Sequence, residues 1–127
     1  DWQGFDKTVL GCDYTNHFGN ERTSQVLIAP GAEKSPLLDG VKPFPSGGSL
    51  YKSLPLTEGA KVLLIGQLDD DKTQEPVAWT FERKDGGRTF YTSLGHVNDF
   101  KQESFTHLLT NGLKWAAGIL KEQPDSN

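Results

Sequence analysis

One stretch, from Glu75 to His96, constrains the fold of this chain more than any other. Two runs rich in β-branched and aromatic residues, 76–83 and 88–93, flank the turn Lys84-Asp-Gly-Gly87. Because glycine adopts positive φ at little cost, this turn predicts an antiparallel hairpin. The second strand leads to a Gly-His pair, which places an imidazole at the carboxyl end of a strand. Open α/β sheets bind their ligands at that end.

The other segments predict further strands and one long helix. The apolar runs 25–30 and 61–68 read as strands, and the second lacks polar alternation, which favours a strand covered on both faces, as in α/β sheets. Residues 49–52 predict a short edge strand, and the proline-rich and glycine-rich segment 31–48 predicts a long ordered loop. Apolar residues recur at helical spacing between 103 and 120, which predicts an amphipathic closing helix. They are Phe105, Leu108, Leu109, Gly112, Leu113, Ala116, Ile119 and Leu120.

Size and composition exclude several classes of protein. A chain of 127 residues is one domain or part of one, and no apolar run approaches the roughly 20 residues that span a bilayer. The net charge is -4 and the basic residues are scattered, so we expect no nucleic-acid and no membrane partner. A single cysteine, Cys12, rules out an intrachain disulfide. The chain shows no targeting segment, and its compartment stays open.

Two histidines are the main candidates for chemistry. His96 follows a strand and a glycine, Gly95, that lets a ligand approach closely, although a purely structural hydrogen bond with Asn98 or Asp99 is the alternative. His17 lies in a loop rich in hydrogen-bonding residues and could converge on the same pocket. The ligand-binding residues predicted around them are Tyr14, Asn16, Tyr51, Gly95, Asn98 and Asp99.

The remaining candidates are weaker. A tyrosine ring suits the face of a sugar. His107 falls on the flank of the closing helix, and Cys12 follows a helix-like segment rather than a strand, so we expect a buried, inert thiol. No HxxxH, HxH or CxxC spacing supports a metal site, and we predict none.

The same residues resemble the ThuA-like (trehalose-utilisation) family, which has the class I glutamine amidotransferase-like fold. The matching motifs are Pro76-Val-Ala-Trp79, Gly87-Arg-Thr-Phe-Tyr-Thr92, Gly95-His96 and the helix ending Trp115-Ala-Ala-Gly118. The earlier part departs from the family pattern, since Ser35 stands where histidine is usual and Gly48-Ser49 replaces two acids. This variant pattern is more similar to ThuA-like domains of large multidomain bacterial proteins.

The resemblance implies an α/β, flavodoxin-like fold with a mixed sheet, a C-terminal antiparallel hairpin and a closing helix. It implies a role in sugar or keto-sugar metabolism, with a pocket at the C-terminal edge of the sheet and His96 and His17 as its catalytic pair. ThuA-like proteins lack the amidotransferase cysteine, so glutaminase activity is not expected. The open alternative is a non-catalytic sugar-binding or protein-interaction module, which leaves enzymatic activity undecided.

A family domain opens with a parallel βαβ half, and residues 1–127 resemble the single remaining portion of such a domain. Exposed strand edges attract further strands. We therefore expect either a homodimer or a further N-terminal segment to complete the sheet.

The mass of residues 1–127 in solution tests the expected homodimer. Light scattering after size exclusion should give twice the chain mass, because a second copy would cover the open edge. A stable monomer at all concentrations would contradict the homodimer.

Overall fold

The computed structural model describes residues 2–122, which form a five-stranded sheet, a separate two-stranded ladder and one long helix. The strands are β1 (Asn16–His17), β2 (Ser24–Ile28), β3 (Phe44–Ser46), β4 (Tyr51–Lys52), β5 (Lys61–Leu68), β6 (Gln74–Glu82) and β7 (Arg88–Thr92), and the helix is α1 (Glu103–Ala116). The main sheet has the order β3-β2-β5-β6-β7, and β1 pairs with β4. The chain is therefore α/β, with the predicted hairpin (β6–β7) and the predicted closing helix both present.

All strand pairs among residues 2–122 are antiparallel, so the predicted mixed sheet is wrong for this part of the chain. The reason lies in the connections. Parallel neighbours need a crossover of about a dozen residues or more, usually a helix. The links from β5 to β6 and from β6 to β7 are short turns, at 69–73 and 83–87, which can only reverse the chain.

The predicted loop at 31–48 contains more structure than its prolines suggested. Pro36–Leu38 forms a 3-10 turn, and the Ser35 hydroxyl accepts a hydrogen bond from the Leu37 N–H. Strand β3 then adds to the edge of β2, with Pro45 opposite Gln25. An edge strand tolerates proline because the missing N–H leaves no interior ladder bond unmade.

Helix α1 packs on β7 and on the 3-10 turn, but through a narrower stripe than its periodicity predicts. The buried positions are Phe105, Leu108, Gly112 and Trp115, whereas Leu113 is 70% exposed and Ile119 is 75% exposed. Leu109 is partly buried against the core beside this stripe, whereas Leu113 and, beyond the end of the helix, Ile119 stay in solvent. Gly112 is required by close contact, because an added Cβ would lie 2.5 Å from the Phe90 ring.

The segment before β1 packs against β6. A short π-helical turn, Asp6–Leu10, ends at Gly11, whose φ is 76°. The indole N–H of Trp79 donates to the Leu10 carbonyl at 2.7 Å, and the Trp79 ring stacks on Tyr91 at 4.0 Å between centroids. Trp79, Cys12 and Phe81 form a second core cluster, and burial raises the pKa of the Cys12 thiol. These contacts confirm that Cys12 is buried.

A leucine pair on α1 tests which side of the helix carries the core. Leu108→Ala should lower the free energy of unfolding by about 2–5 kcal/mol, because it leaves a cavity at a fully buried site. Leu113→Ala is the matched control and should cost about 0.5 kcal/mol or less, since that side chain is already in solvent. Urea unfolding of both variants measures the difference. Equal losses would contradict this packing of α1.

Candidate functional site

A pocket with a volume of about 410 Å³ lies beside the carboxyl ends of β3 and β7. Three parts of the chain form its wall: the end of β1 and the residues after it, the start of β4, and the segment that follows β7. The lining residues are His17, Gly19, Asn20, Gly48, Ser49, Tyr51, Ser93, Leu94, Gly95 and His96. None of these is a lysine, arginine, aspartate or glutamate, so the wall is polar but carries no permanent charge.

His96 is held by a turn built on a buried carboxylate. Asp99 is 1% exposed, and its Oδ2 accepts hydrogen bonds from the backbone N–H groups of Gly95, at 3.0 Å, and His96, at 3.1 Å. The Ser46 hydroxyl at the end of β3 donates to the same oxygen at 3.1 Å. Within residues 2–122 the other oxygen, Oδ1, has no hydrogen-bond partner. Asp99 therefore ties the histidine turn to the neighbouring strand.

Glycine at position 47 makes room for the His96 ring. A Cβ added there would lie 2.7 Å from His96 Nδ1 and 2.8 Å from Cε1, closer than real Cβ contacts allow. Any larger residue would therefore push the imidazole from its present place. The turn after β3 thus fixes the position of the His96 ring, while Asp99 holds the His96 backbone.

His17 reaches the pocket from the small ladder. It pairs with Tyr51, and its backbone N–H donates to the Asn16 side-chain oxygen at 2.8 Å. Its ring nitrogen Nδ1 accepts the backbone N–H of Gly19 at 3.1 Å. Two short strands are enough to bring this histidine to the pocket because Phe18 donates its N–H to the carbonyl of buried Leu50.

Two tyrosines stand at the pocket mouth. Tyr51 lines the pocket and is 43% exposed, and Tyr14 lies edge-on to it at 5.5 Å between ring centroids and is 45% exposed. The His17 ring lies 6.5 Å from the Tyr51 ring. The rings form an exposed aromatic edge next to the polar wall.

The structure brings four of the predicted site residues to this wall and leaves four outside it. His17, His96, Gly95 and Tyr51 line the pocket. Tyr14, Asn16 and Asn98 each contact a lining residue instead, and Asp99 lies beneath the His96 turn.

Sequence reasoning did not select Asn20, Ser49 or Ser93 as wall residues. The only available signal was their nearness in sequence to His17, Tyr51 and His96. His107, by contrast, lies on the exposed side of α1 near Glu103, as predicted.

Residues 2–122 contain no group of three histidine, cysteine, aspartate or glutamate side chains placed to hold a metal ion. In the described part of the chain, no helix is long and apolar enough to cross a membrane.

A second cavity, of about 380 Å³, is mostly apolar, with Ala29, Leu54, Val62 and Ile65 in its wall. Glu75 also borders it, and burial raises the pKa of this carboxyl, against the opposing effects of the Ser53 N–H and the Lys52 charge. No histidine lines this cavity, so the predicted candidates belong to the pocket at β3 and β7.

Replacing the buried carboxylate tests the anchoring of His96. Asp99→Ala should lower the free energy of unfolding by about 2–4 kcal/mol, because three donors lose a charged acceptor. The amide NMR signals of Gly95 and His96 should move with it. Asn98→Ala, a neighbouring exposed side chain, is the control and should change stability by about 0.5 kcal/mol or less. Unmoved amide signals in Asp99→Ala would contradict the anchor.

Comparison with known proteins rests on one match. No curated protein and no solved structure matches the chain significantly. The family model ThuA, described as trehalose utilisation, matches residues 1–116. A match over this much of the sequence shows the family directly, and strands β6 and β7 and helix α1 lie within it. The chain belongs to the ThuA family, whose description implies a role in trehalose utilisation.

Proposed function

We propose that this ThuA domain binds a sugar or keto-sugar in the pocket between His17 and His96 and acts in carbohydrate metabolism. The observation that carries the proposal is the meeting of two histidines from separate segments at one polar pocket. The family description supports a sugar as the ligand, since trehalose is a disaccharide.

The chemistry of the wall suits a neutral, hydroxyl-rich molecule. Asn20, Ser49 and Ser93 supply side-chain groups that donate and accept hydrogen bonds. The lining holds no permanent charge, which disfavours strongly ionic ligands. Tyr51 and Tyr14 offer exposed ring faces at the mouth, and such rings pack on the apolar faces of sugars.

The fold proposed for the whole domain is the flavodoxin-like fold of the class I glutamine amidotransferase-like superfamily. The hairpin β6–β7, the Gly-His pair that follows β7 and the closing helix α1 support this placement, as does the family itself. In this fold ligands bind at the carboxyl ends of strands. The pocket beside the ends of β3 and β7 agrees with that position.

A non-catalytic sugar-binding or interaction module of a larger protein is the second candidate. Two observations favour it. Burial raises the pKa of Cys12, which leaves that thiol unsuited to nucleophilic attack. Among residues 2–122, the pocket wall holds no carboxylate to serve as a partner acid or base. Turnover of a disaccharide or keto-sugar would decide for the enzyme.

Histidine substitutions test the sugar site. His96→Ala and His17→Ala should weaken trehalose binding by about tenfold or more, which corresponds to about 1.4 kcal/mol or one good hydrogen bond. Their unfolding midpoints should stay close to wild type because both rings lie at the pocket rather than in the core. Isothermal titration calorimetry and thermal unfolding measure the two quantities.

His107→Ala is the matched control, since this exposed histidine on α1 is not among the residues that line the pocket. It should bind trehalose as the wild type does. Loss of folding in His96→Ala would point instead to a structural histidine. Absence of binding to trehalose and to other common disaccharides and keto-sugars would overturn the proposal.

A further inference from the structure

We infer that His17 and His96 act as a pair of Nε2–H hydrogen-bond donors, so that the pocket selects a neutral ligand with two acceptor oxygens. The inference rests on the proposed function, which it makes more specific. It excludes two other uses of these histidines, as metal ligands and as general bases. The two rings lie in unrelated turns, yet each accepts a backbone N–H at Nδ1 from two residues further along the chain.

The first of these bonds is local to the small ladder. The backbone N–H of Gly19 donates to Nδ1 of His17 at 3.1 Å, two residues further along the chain. A nitrogen that accepts an N–H must present a lone pair and therefore carries no proton. In the neutral ring the single proton must then lie on Nε2.

The second bond repeats this pattern after β7. The backbone N–H of Asn98 donates to Nδ1 of His96 at 3.2 Å, again two residues further along. Asp99 fixes the backbone of the same turn through the N–H of His96, and Gly47 sits against the ring. As at His17, a ring nitrogen that accepts an N–H carries no proton, so in the neutral ring of His96 the proton lies on Nε2.

Both rings line the pocket, and both carry their free hydrogen-bonding capacity on Nε2. An Nε2–H has no lone pair to give to a metal or to a proton, because the lone pair of a neutral imidazole lies on the other nitrogen. Ligation or proton abstraction through Nε2 would first move the proton to Nδ1, facing a backbone N–H. A proton on Nδ1 would remove one hydrogen bond at each ring and place the Nδ1–H directly opposite the backbone N–H.

The ligand that this pair fits is an uncharged molecule with at least two oxygen acceptors. Hydroxyl, ether and carbonyl oxygens all accept an N–H, and a sugar or keto-sugar presents several of them. Amines and metal cations offer no acceptor lone pair in their charged forms. The absence of lysine and arginine from the lining agrees with a neutral ligand rather than a phosphate or a carboxylate.

Substituting each histidine by glutamine and by asparagine tests whether the ring acts as a hydrogen-bond donor rather than as a general base or a metal ligand. The amide nitrogen of glutamine reaches about as far as Nε2 of histidine, whereas the asparagine amide reaches only about as far as Nδ1. Using trehalose as the probe, His96→Gln and His17→Gln should bind within about threefold of wild type, because the donor is kept. His96→Asn and His17→Asn should bind about tenfold more weakly. Calorimetry gives the affinities, and thermal unfolding confirms that each variant folds.

The inference is overturned if the glutamine variants bind as weakly as the asparagine variants. Activity or binding that appears only on addition of Zn²⁺, with Gln unable to replace His, would also overturn it. If the wild-type chain binds neither trehalose nor other neutral sugars, the proposed function fails, and with it the choice of ligand.

A measurement that needs no ligand distinguishes these failures. Long-range ¹H–¹⁵N NMR of the wild-type protein at neutral pH reports which nitrogen of each ring carries the proton. Both His17 and His96 should show a protonated Nε2 and an unprotonated Nδ1, and Zn²⁺ alone should leave their signals in place. A protonated Nδ1 in either ring would overturn the donor pair even if sugar binding is observed.

Discussion

The complete burial of β6 from Glu75 to Phe81 is the constraint on which the rest of this structure depends. Every residue from Glu75 to Phe81 is buried, although successive side chains of a strand point to opposite faces. Both faces of the sheet must therefore be covered at this strand. On one face Ala78 joins a cluster with core residues of α1, and on the other face the segment 10–12 closes over Trp79 and Phe81.

The histidine pocket follows from this arrangement. With β6 fixed, β7 runs along its outer side and delivers the Gly-His pair at the edge where β3 also ends. The two ends meet through Asp99, which accepts from Ser46 on one side and from His96 on the other. A buried carboxylate with three donors makes the turn costly to move, because each donor would lose a charged partner. The site is thus organised before any ligand arrives.

Much of this architecture could be predicted from residues that act locally. The turn at 84–87, the strand run at 61–68 and the helical periodicity after 103 depend on near neighbours, and all three appear. The helix ends at Ala116 rather than at the predicted residue 120. The pairing of strands does not depend on near neighbours alone. The unalternating run 61–68 suggested a strand covered on both faces, as in α/β sheets. Its two neighbours are antiparallel: the short turn 69–73 leads into β6, whereas β2 pairs with it across a long connection.

The parts that sequence reasoning missed depend on distant partners. Leu113 has the right spacing for a buried face, yet it is 70% exposed in the described part of the chain. The prolines of 43–45 hid an edge strand because only the position of β2 makes that edge available. Asp99 was predicted as a ligand-binding residue or, alternatively, as a structural hydrogen-bond partner of His96. The hydrogen bonds from His96 and Ser46 show it to be a buried support. The meeting of His17 with His96 was predicted from sequence, but Asn20, Ser49 and Ser93 enter the wall through tertiary packing alone.

The small β1–β4 ladder has a consequence for how a ligand would enter. It joins only two residue pairs, Asn16 with Lys52 and His17 with Tyr51, and it lies outside the five-stranded sheet. Small, solvent-exposed units open at a lower free energy than the core of a protein. The side of the pocket that carries His17 can therefore open locally more easily than the side that carries His96. The two histidine donors therefore lie on two pieces of the fold that differ in local stability.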